Sequence, residues 1–134
     1  MIVLDASVIL KWIFGDEAGG DSAIYYRDRH VSGEETIAVP ELFFYEAANV
    51  LTTKTKLSAD AASEAFSSLW NLDFEIFTLG IEEFLEGITL SKRFKISLYD
   101  AAYIELAKKL KCNFITGDRK LYEKAKEMKG IKLL

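Results

Sequence analysis

The chain has 134 residues, half of them apolar, with nine Phe, six Tyr and two Trp, a composition that excludes overall disorder and suffices for one domain with its own core. No apolar run approaches the roughly 18 residues of a membrane span, no basic region leads into an apolar N-terminal stretch, and Cys112 is the sole cysteine. The expectation is therefore a cytoplasmic, disulfide-free protein with no membrane contact, a single domain over 1–134. The formal charge of −4 hides a split: residues 1–90 carry 5 basic and 16 acidic side chains, residues 91–134 carry 12 and 5, so the C-terminal third can present a local phosphate-binding face.

In chain order, Ile2-Val3-Leu4 does not alternate and predicts a fully buried strand, ending at Asp5. A short helix over 7–14, a loop from Gly15 through Asp16 and Glu17 to Gly20, and a helix over about 21–30 follow. The polar run Arg27-Asp28-Arg29-His30 predicts a solvated histidine. After a turn at 32–35, Thr36–Val39 predicts a second strand. Pro40 closes it, since proline cannot donate to a ladder and suits a helix start. Helices are predicted from Glu41 to about Lys54 and from Ser58 to about Trp70, then a strand at Phe74–Thr78. Helices over about Glu82–Phe94 and Ser97–Lys111, a strand at Asn113–Thr116, a helix from Asp118 to about Lys129 and an edge strand at Ile131–Leu134 complete the chain. This alternation predicts an α/β fold with a central parallel sheet of four to five strands, helices on both faces and right-handed crossovers.

With one His and one Cys, acid–base or metal chemistry has to come from carboxylates. Four acids stand out. Asp5 and Asp118 lie just past the carboxyl ends of buried strands, where parallel sheets bind ligands, although either one equally suits a helix N-cap. Glu46 sits in a helix apolar nearly all round, where a carboxylate is costly unless paired or metal-bound. Pairing with Lys54 or an outward face is its alternative, and Asn49 is one turn on. Asp100 follows Ser97 by three residues, a capping-box pattern, in a helix whose alanines indicate close packing. Several carboxylates at one edge repel one another, and the usual remedy is a hard divalent cation with oxygen ligands, Mg²⁺ or Mn²⁺. Ser7 and Thr116 add hydroxyls at that edge.

At these residues the sequence resembles the PIN-domain ribonucleases, most closely the VapC toxins of VapBC toxin–antitoxin pairs. Four segments carry the resemblance: Val3-Leu4-Asp5-Ala6-Ser7-Val8 with Lys11-Trp12; Pro40-Glu41-Leu42 leading to Glu46 and Asn49; Tyr99-Asp100-Ala101-Ala102-Tyr103; and Ile115-Thr116-Gly117-Asp118-Arg119-Lys120-Leu121. Each is short, but together, in order and spacing, they span the chain.

The resemblance implies a three-layer α/β/α PIN-like fold, with Asp5, Glu46, Asp100 and Asp118 as the catalytic, metal-holding quartet and Ser7 and Thr116 as supporting hydroxyls. It further implies Mg²⁺- or Mn²⁺-dependent endonucleolytic cleavage of RNA, a homodimer, and a VapB-like antitoxin whose tail enters the acidic cleft. Lys11, Lys92, Arg93, Lys95, Arg119 and Lys120 are candidates for phosphate contacts. Tyr99 and Trp12 are expected to pack in the core, with stacking on an unpaired base as the alternative. A nuclease for general RNA processing and a non-catalytic binding module are the competing readings. A haloacid-dehalogenase-type phosphatase is disfavoured because it needs a second Asp where this chain has Ser7. A receiver domain wants an acidic pair after the first strand and an Asp after the third, and Thr78-Leu79-Gly80 supplies none.

Overall fold

The structure is a computed structural model that describes residues 1–15 and 18–134; the part of the expected 15–20 loop that falls on Asp16 and Glu17 lies outside the described residues. The elements are β1 (Ile2–Leu4), α1 (Ala6–Ile9), a 3₁₀ turn (Leu10–Trp12), α2 (Gly20–Val31), β2 (Ile37–Pro40), α3 (Leu42–Thr53), α4 (Ala59–Trp70), β3 (Glu75–Phe77), α5 (Ile81–Phe94), α6 (Leu98–Leu110), β4 (Asn113–Thr116), α7 (Arg119–Ala125) and β5 (Ile131–Leu133).

The five strands form one parallel sheet in the order β3-β2-β1-β4-β5, with helices on both faces. Successive strands run outward from β1 through β2 to β3, and the chain then crosses back to place β4 on the other side of β1. The junction of β1 and β4 is therefore the point where strand order reverses. Outside the carboxyl ends at such a point lies the crevice where open α/β sheets bind ligands. Val3, Leu4, Ile37, Val39 and Phe114 are all but inaccessible to solvent, as non-alternating strands covered on two faces require.

The backbone and the placement of His30 depart from the sequence expectations as follows. The helix expected over 7–14 is α1 followed by the 3₁₀ turn. Pro40 lies within β2 as its last residue, opposite Phe77, so the strand runs one residue past Val39. The last helix ends at Ala125, not near Lys129, because the chain must turn back to start β5, and Gly130 supplies the positive φ of 87° for that turn. His30 is not a solvated histidine: it is half-buried, Nδ1 accepts the Ile37 N–H at 3.2 Å and Nε2 lies 2.8 Å from the Leu72 carbonyl. Nδ1 also lies 3.2 Å from the Glu35 carbonyl, so the ring ties the start of β2 to the loop before β3. Local polarity could not reveal it, since the partners are backbone groups and one of them, the Leu72 carbonyl, lies 42 residues away.

Candidate active site

Asp5 is the centre of the site and is only 6% exposed. As the N-cap of α1 it accepts the Val8 N–H on Oδ1 at 3.3 Å, so the capping role holds without emptying the position of other uses. The Ser7 hydroxyl donates to Oδ1 of Asp5 and the Thr116 hydroxyl to Oδ2 at 2.5 Å. Each hydroxyl also accepts a backbone N–H from the corner after β4: Gly117 to Ser7 at 2.8 Å, Asp118 to Thr116 at 3.0 Å. Two hydroxyls thus lace the end of β1 to the end of β4. The corner approaches so closely that a Cβ on Gly117 would lie 3.1 Å from Ser7 Oγ and 3.2 Å from Lys11 Cε.

The other three acids arrive from separate helices. Glu46, half-buried on α3, accepts the Tyr103 hydroxyl of α6 on Oε1 at 2.7 Å. Asp100 stands in the first turn of α6, where the Ser97 hydroxyl caps its N–H at 3.0 Å. Asp118 is the N-cap of α7 and takes the Leu121 N–H at 3.1 Å.

The charges of these acids act on one another. Burial raises the Asp5 carboxyl to about 6; the Ser7, Thr116 and Val8 hydrogen bonds oppose the rise and the Asp100 charge adds to it. Burial also raises Glu46, against the Tyr103 hydrogen bond and with the Asp100 and Asp5 charges. Asp100 is raised by burial and by the Asp118 charge, with Ser97 and Lys124 opposing. Asp5, Glu46 and Asp100 therefore each feel the charge of another acid of the four. Burial and the Glu46 carboxylate in turn hold the Tyr103 phenol well above the usual tyrosine range, so it stays a hydrogen-bond donor.

Around the acids, Lys11 and Arg119 line a cavity of about 290 Å³ with Gly117 and Leu134. Lys120 is exposed on α7 and Lys92 on α5, and so is Lys95, whose carbonyl accepts the Lys124 ammonium at 3.1 Å. Arg93 is engaged by Glu127 at 3.2 Å and lies 4.7 Å over the Phe94 ring. On the other side a cleft of about 350 Å³ is lined by Tyr45, Phe77, Phe84 and Tyr99. Tyr99 is 65% exposed, against the expectation that it packs in the core. Trp12 does pack there, its Nε1–H donating to the Ala23 carbonyl at 2.7 Å. Asn49 is exposed.

Sequence reasoning missed Lys124, the basic residue whose charge acts on Asp100, because nothing local separates it from Lys120 or Lys126. It also missed the hydroxyl of Tyr103. A usable signal existed there, since residues three apart share a helix face and Tyr103 follows Asp100 by three.

The donor set fits a hard divalent cation: it is all oxygen, it holds like charges together, and ligand binding at this edge is what the topology favours. Among the described residues no three acidic, His or Cys side chains stand close enough to form a ready cage.

The sequence profile of the PIN domain matches residues 2–127. The chain is similar to Ribonuclease VapC3 of Pyrobaculum aerophilum, with 30% identity over 127 residues, 92% of this chain and 93% of the relative. In structure it is similar to PAE2754 of Pyrobaculum aerophilum, with a TM-score of 0.73 and 21% identity over 98% of this chain and 82% of that one. It is similar to a toxin–antitoxin complex from Klebsiella pneumoniae, with a TM-score of 0.69, 14% identity and 98% and 96% of the two chains. The sarcin-ricin loop cleaving toxin VapC20 of Mycobacterium tuberculosis gives a TM-score of 0.68 and 12% identity over 92% and 94%. At such identities the three structures speak to the fold alone.

Proposed function

The chain belongs to the PIN-domain family, and from that premise we propose that it is a divalent-metal-dependent endoribonuclease, the toxin of a VapBC-type pair. The observation that supports the reading is the charge coupling at the carboxyl edge of the sheet: Asp100 acts on Asp5 and on Glu46, Asp5 acts on Glu46, and Asp118 acts on Asp100.

Asp5, Asp100 and Asp118 would hold Mg²⁺ or Mn²⁺, and Glu46 would either join them or orient the attacking water. When bound, such an ion supplies activation of water for in-line attack on phosphorus and neutralises charge on the scissile phosphate and departing oxygen. Ser7 and Thr116 fix the Asp5 carboxylate, so that it does not have to reorganise as the reaction proceeds. Lys11, Arg119 and Lys120, with Lys92, Arg93 and Lys95 farther out, take backbone phosphates, giving affinity and salt dependence without base choice. Tyr99, exposed one residue before Asp100, offers a ring for an unpaired base.

A second copy covers the apolar face of α5, where Ile81, Phe84, Leu85 and Ile88 are 71%, 47%, 58% and 50% exposed. A VapB-like antitoxin blocks the acid cleft. The protein acts as a single domain in the cytoplasm; among the described residues no helix is long and apolar enough to cross a membrane.

The test is cleavage of single-stranded RNA with Mn²⁺, Mg²⁺ or EDTA by the wild type, Asp5→Asn and Asp100→Asn. Cleavage is expected only with metal and only in the wild type; full activity in both variants removes the assignment. Induced expression is expected to arrest growth with the wild type and not with Asp5→Asn. Harmless expression of an active enzyme points to general RNA processing, and metal-independent RNA binding without cleavage points to an adaptor.

A further inference from the structure

We propose that Tyr103 is a positioning residue of the cation site, which clamps one oxygen of Glu46 and leaves the other as the oxygen that faces the ion. The inference rests on the metal-dependent reading above and adds to it a residue outside the acidic quartet.

Tyr103 is 1% exposed and its ring stacks on Phe114 of β4, with centroids 5.9 Å apart and planes 13° from parallel. A phenylalanine would fill that space equally well, and a buried hydroxyl costs free energy unless it finds a partner. Here the hydroxyl donates to the carboxylate of Glu46, on α3, at 2.7 Å, and its oxygen takes the Ala6 backbone N–H. The bond crosses between two helices that the sequence separates by 57 residues. Glu46 needs such a tether, because its long side chain stands half-buried among like charges from Asp100 and Asp5 and repulsion would otherwise turn it away. The hydroxyl, unlike a lysine or arginine at the same place, holds the carboxylate without neutralising it. Helix α6 thus brings one acid, Asp100, and one turn later the group that restrains the acid of a neighbouring helix.

Tyr103→Phe keeps the ring and removes the clamp. Mn²⁺ binding by isothermal titration calorimetry is expected to weaken about 10–100-fold, the range for groups that orient metal ligands. The half-saturating Mn²⁺ for RNA cleavage should shift by the same factor, with kcat at saturating Mn²⁺ largely retained. In a Glu46→Gln background the further loss from Tyr103→Phe should vanish, because the clamp has no charged ligand left to hold. An unchanged Mn²⁺ Kd in Tyr103→Phe, even with a lower melting temperature, overturns the inference, and so does a fully additive double variant. Should Tyr103→Phe fail to fold, Mg²⁺ titration of wild-type protein labelled with ¹³C at tyrosine Cζ decides the matter. The buried tyrosine resonance is expected to move with the calorimetric midpoint, and a static resonance overturns the proposal. If the wild type binds no Mn²⁺ at all, the metal-dependent reading fails first and takes this inference with it.

Discussion

Asp5 and Glu105 are equally buried, at 6% and 4% exposure, yet the fold treats them in opposite ways. Glu105 lies on α6 where it packs against α5, and Lys108 sits 3.0 Å from its Oε1. Nearby Lys108 reaches Glu86 at 3.9 Å and Lys109 reaches Glu83 at 3.0 Å, so the seam between the two helices balances its own charge. Asp5 has no ion pair among the described residues; its partners are two hydroxyls and an amide, and a third acid, Asp100, acts on it. Depth alone therefore does not mark a working carboxylate. What separates the two is that the chain supplies a cation to Glu105 and none to Asp5, which on the proposed function would take one from solution.

The sharpest way to break this contrast is to neutralise each acid in turn. Asp5→Asn or Asp100→Asn is expected to slow RNA cleavage by about 10³-fold, the upper end for losing one charge-stabilising group. Glu105→Gln should leave the rate unchanged, and initial rates on a labelled RNA at saturating Mn²⁺ measure both. Equal losses at the two positions would erase the distinction.

Stability in EDTA should run the other way. The folded-state pKa of Asp5, about 6, lies above its ordinary value of 3.8. Its favourable contribution is thus complete below pH 3.8 and is lost as pH rises through about 6. Asp5→Asn escapes that loss, so its stability relative to the wild type should climb between pH 4 and 7 by on the order of 2 kcal/mol. Urea unfolding at the two ends of that range checks it; a difference that stays flat with pH contradicts it.

Removing the internal cation gives a smaller effect. Lys108→Ala leaves Glu105 buried without its partner and is expected to cost about 1–2 kcal/mol, less than for a fully buried pair because Lys108 is itself partly solvated. Cleavage at permissive temperature should not change. Smallest of all, Arg119→Ala and Lys120→Ala should each weaken RNA binding a few-fold and lower the salt slope by about 0.7, the value for one phosphate contact on a single strand. Binding titrations at several salt concentrations, with Asp5→Asn as the uncleaving parent, read this directly.

Much of the site was legible in the sequence because its determinants are local. Ile2-Val3-Leu4 ending at Asp5, and Asn113–Thr116 ending near Asp118, report strand ends by their pattern alone. Ser97 and Asp118 report helix starts by cap chemistry. That these points share one edge follows from the parallel topology. What stayed hidden depends on pairings across the fold. Tyr103 reads as one more core aromatic until Glu46 is seen against it. Glu105 looks like an ordinary helix-surface acid until α5 is laid over it. His30 sits among charges and yet spends both nitrogens on distant backbone. Tyr99 precedes a run of buried neighbours and is still exposed, because it stands with Leu98 in the first turn of α6, before the helix enters the core at Ala101.

The sheet order carries a consequence for synthesis. β1 is the first strand made and β4 is the fourth, and they are neighbours in the middle of the sheet, so the hydroxyl of Thr116 reaches Asp5 from 111 residues downstream. A ribosome-bound chain that stops short of residue 113 has neither the strand that seals β1 nor Asp118, whatever helices it has already formed. Chains arrested there should be sensitive to protease and harmless to RNA. On the proposed function, translation order would keep the nuclease site incomplete until the last stretch of polypeptide clears the exit tunnel.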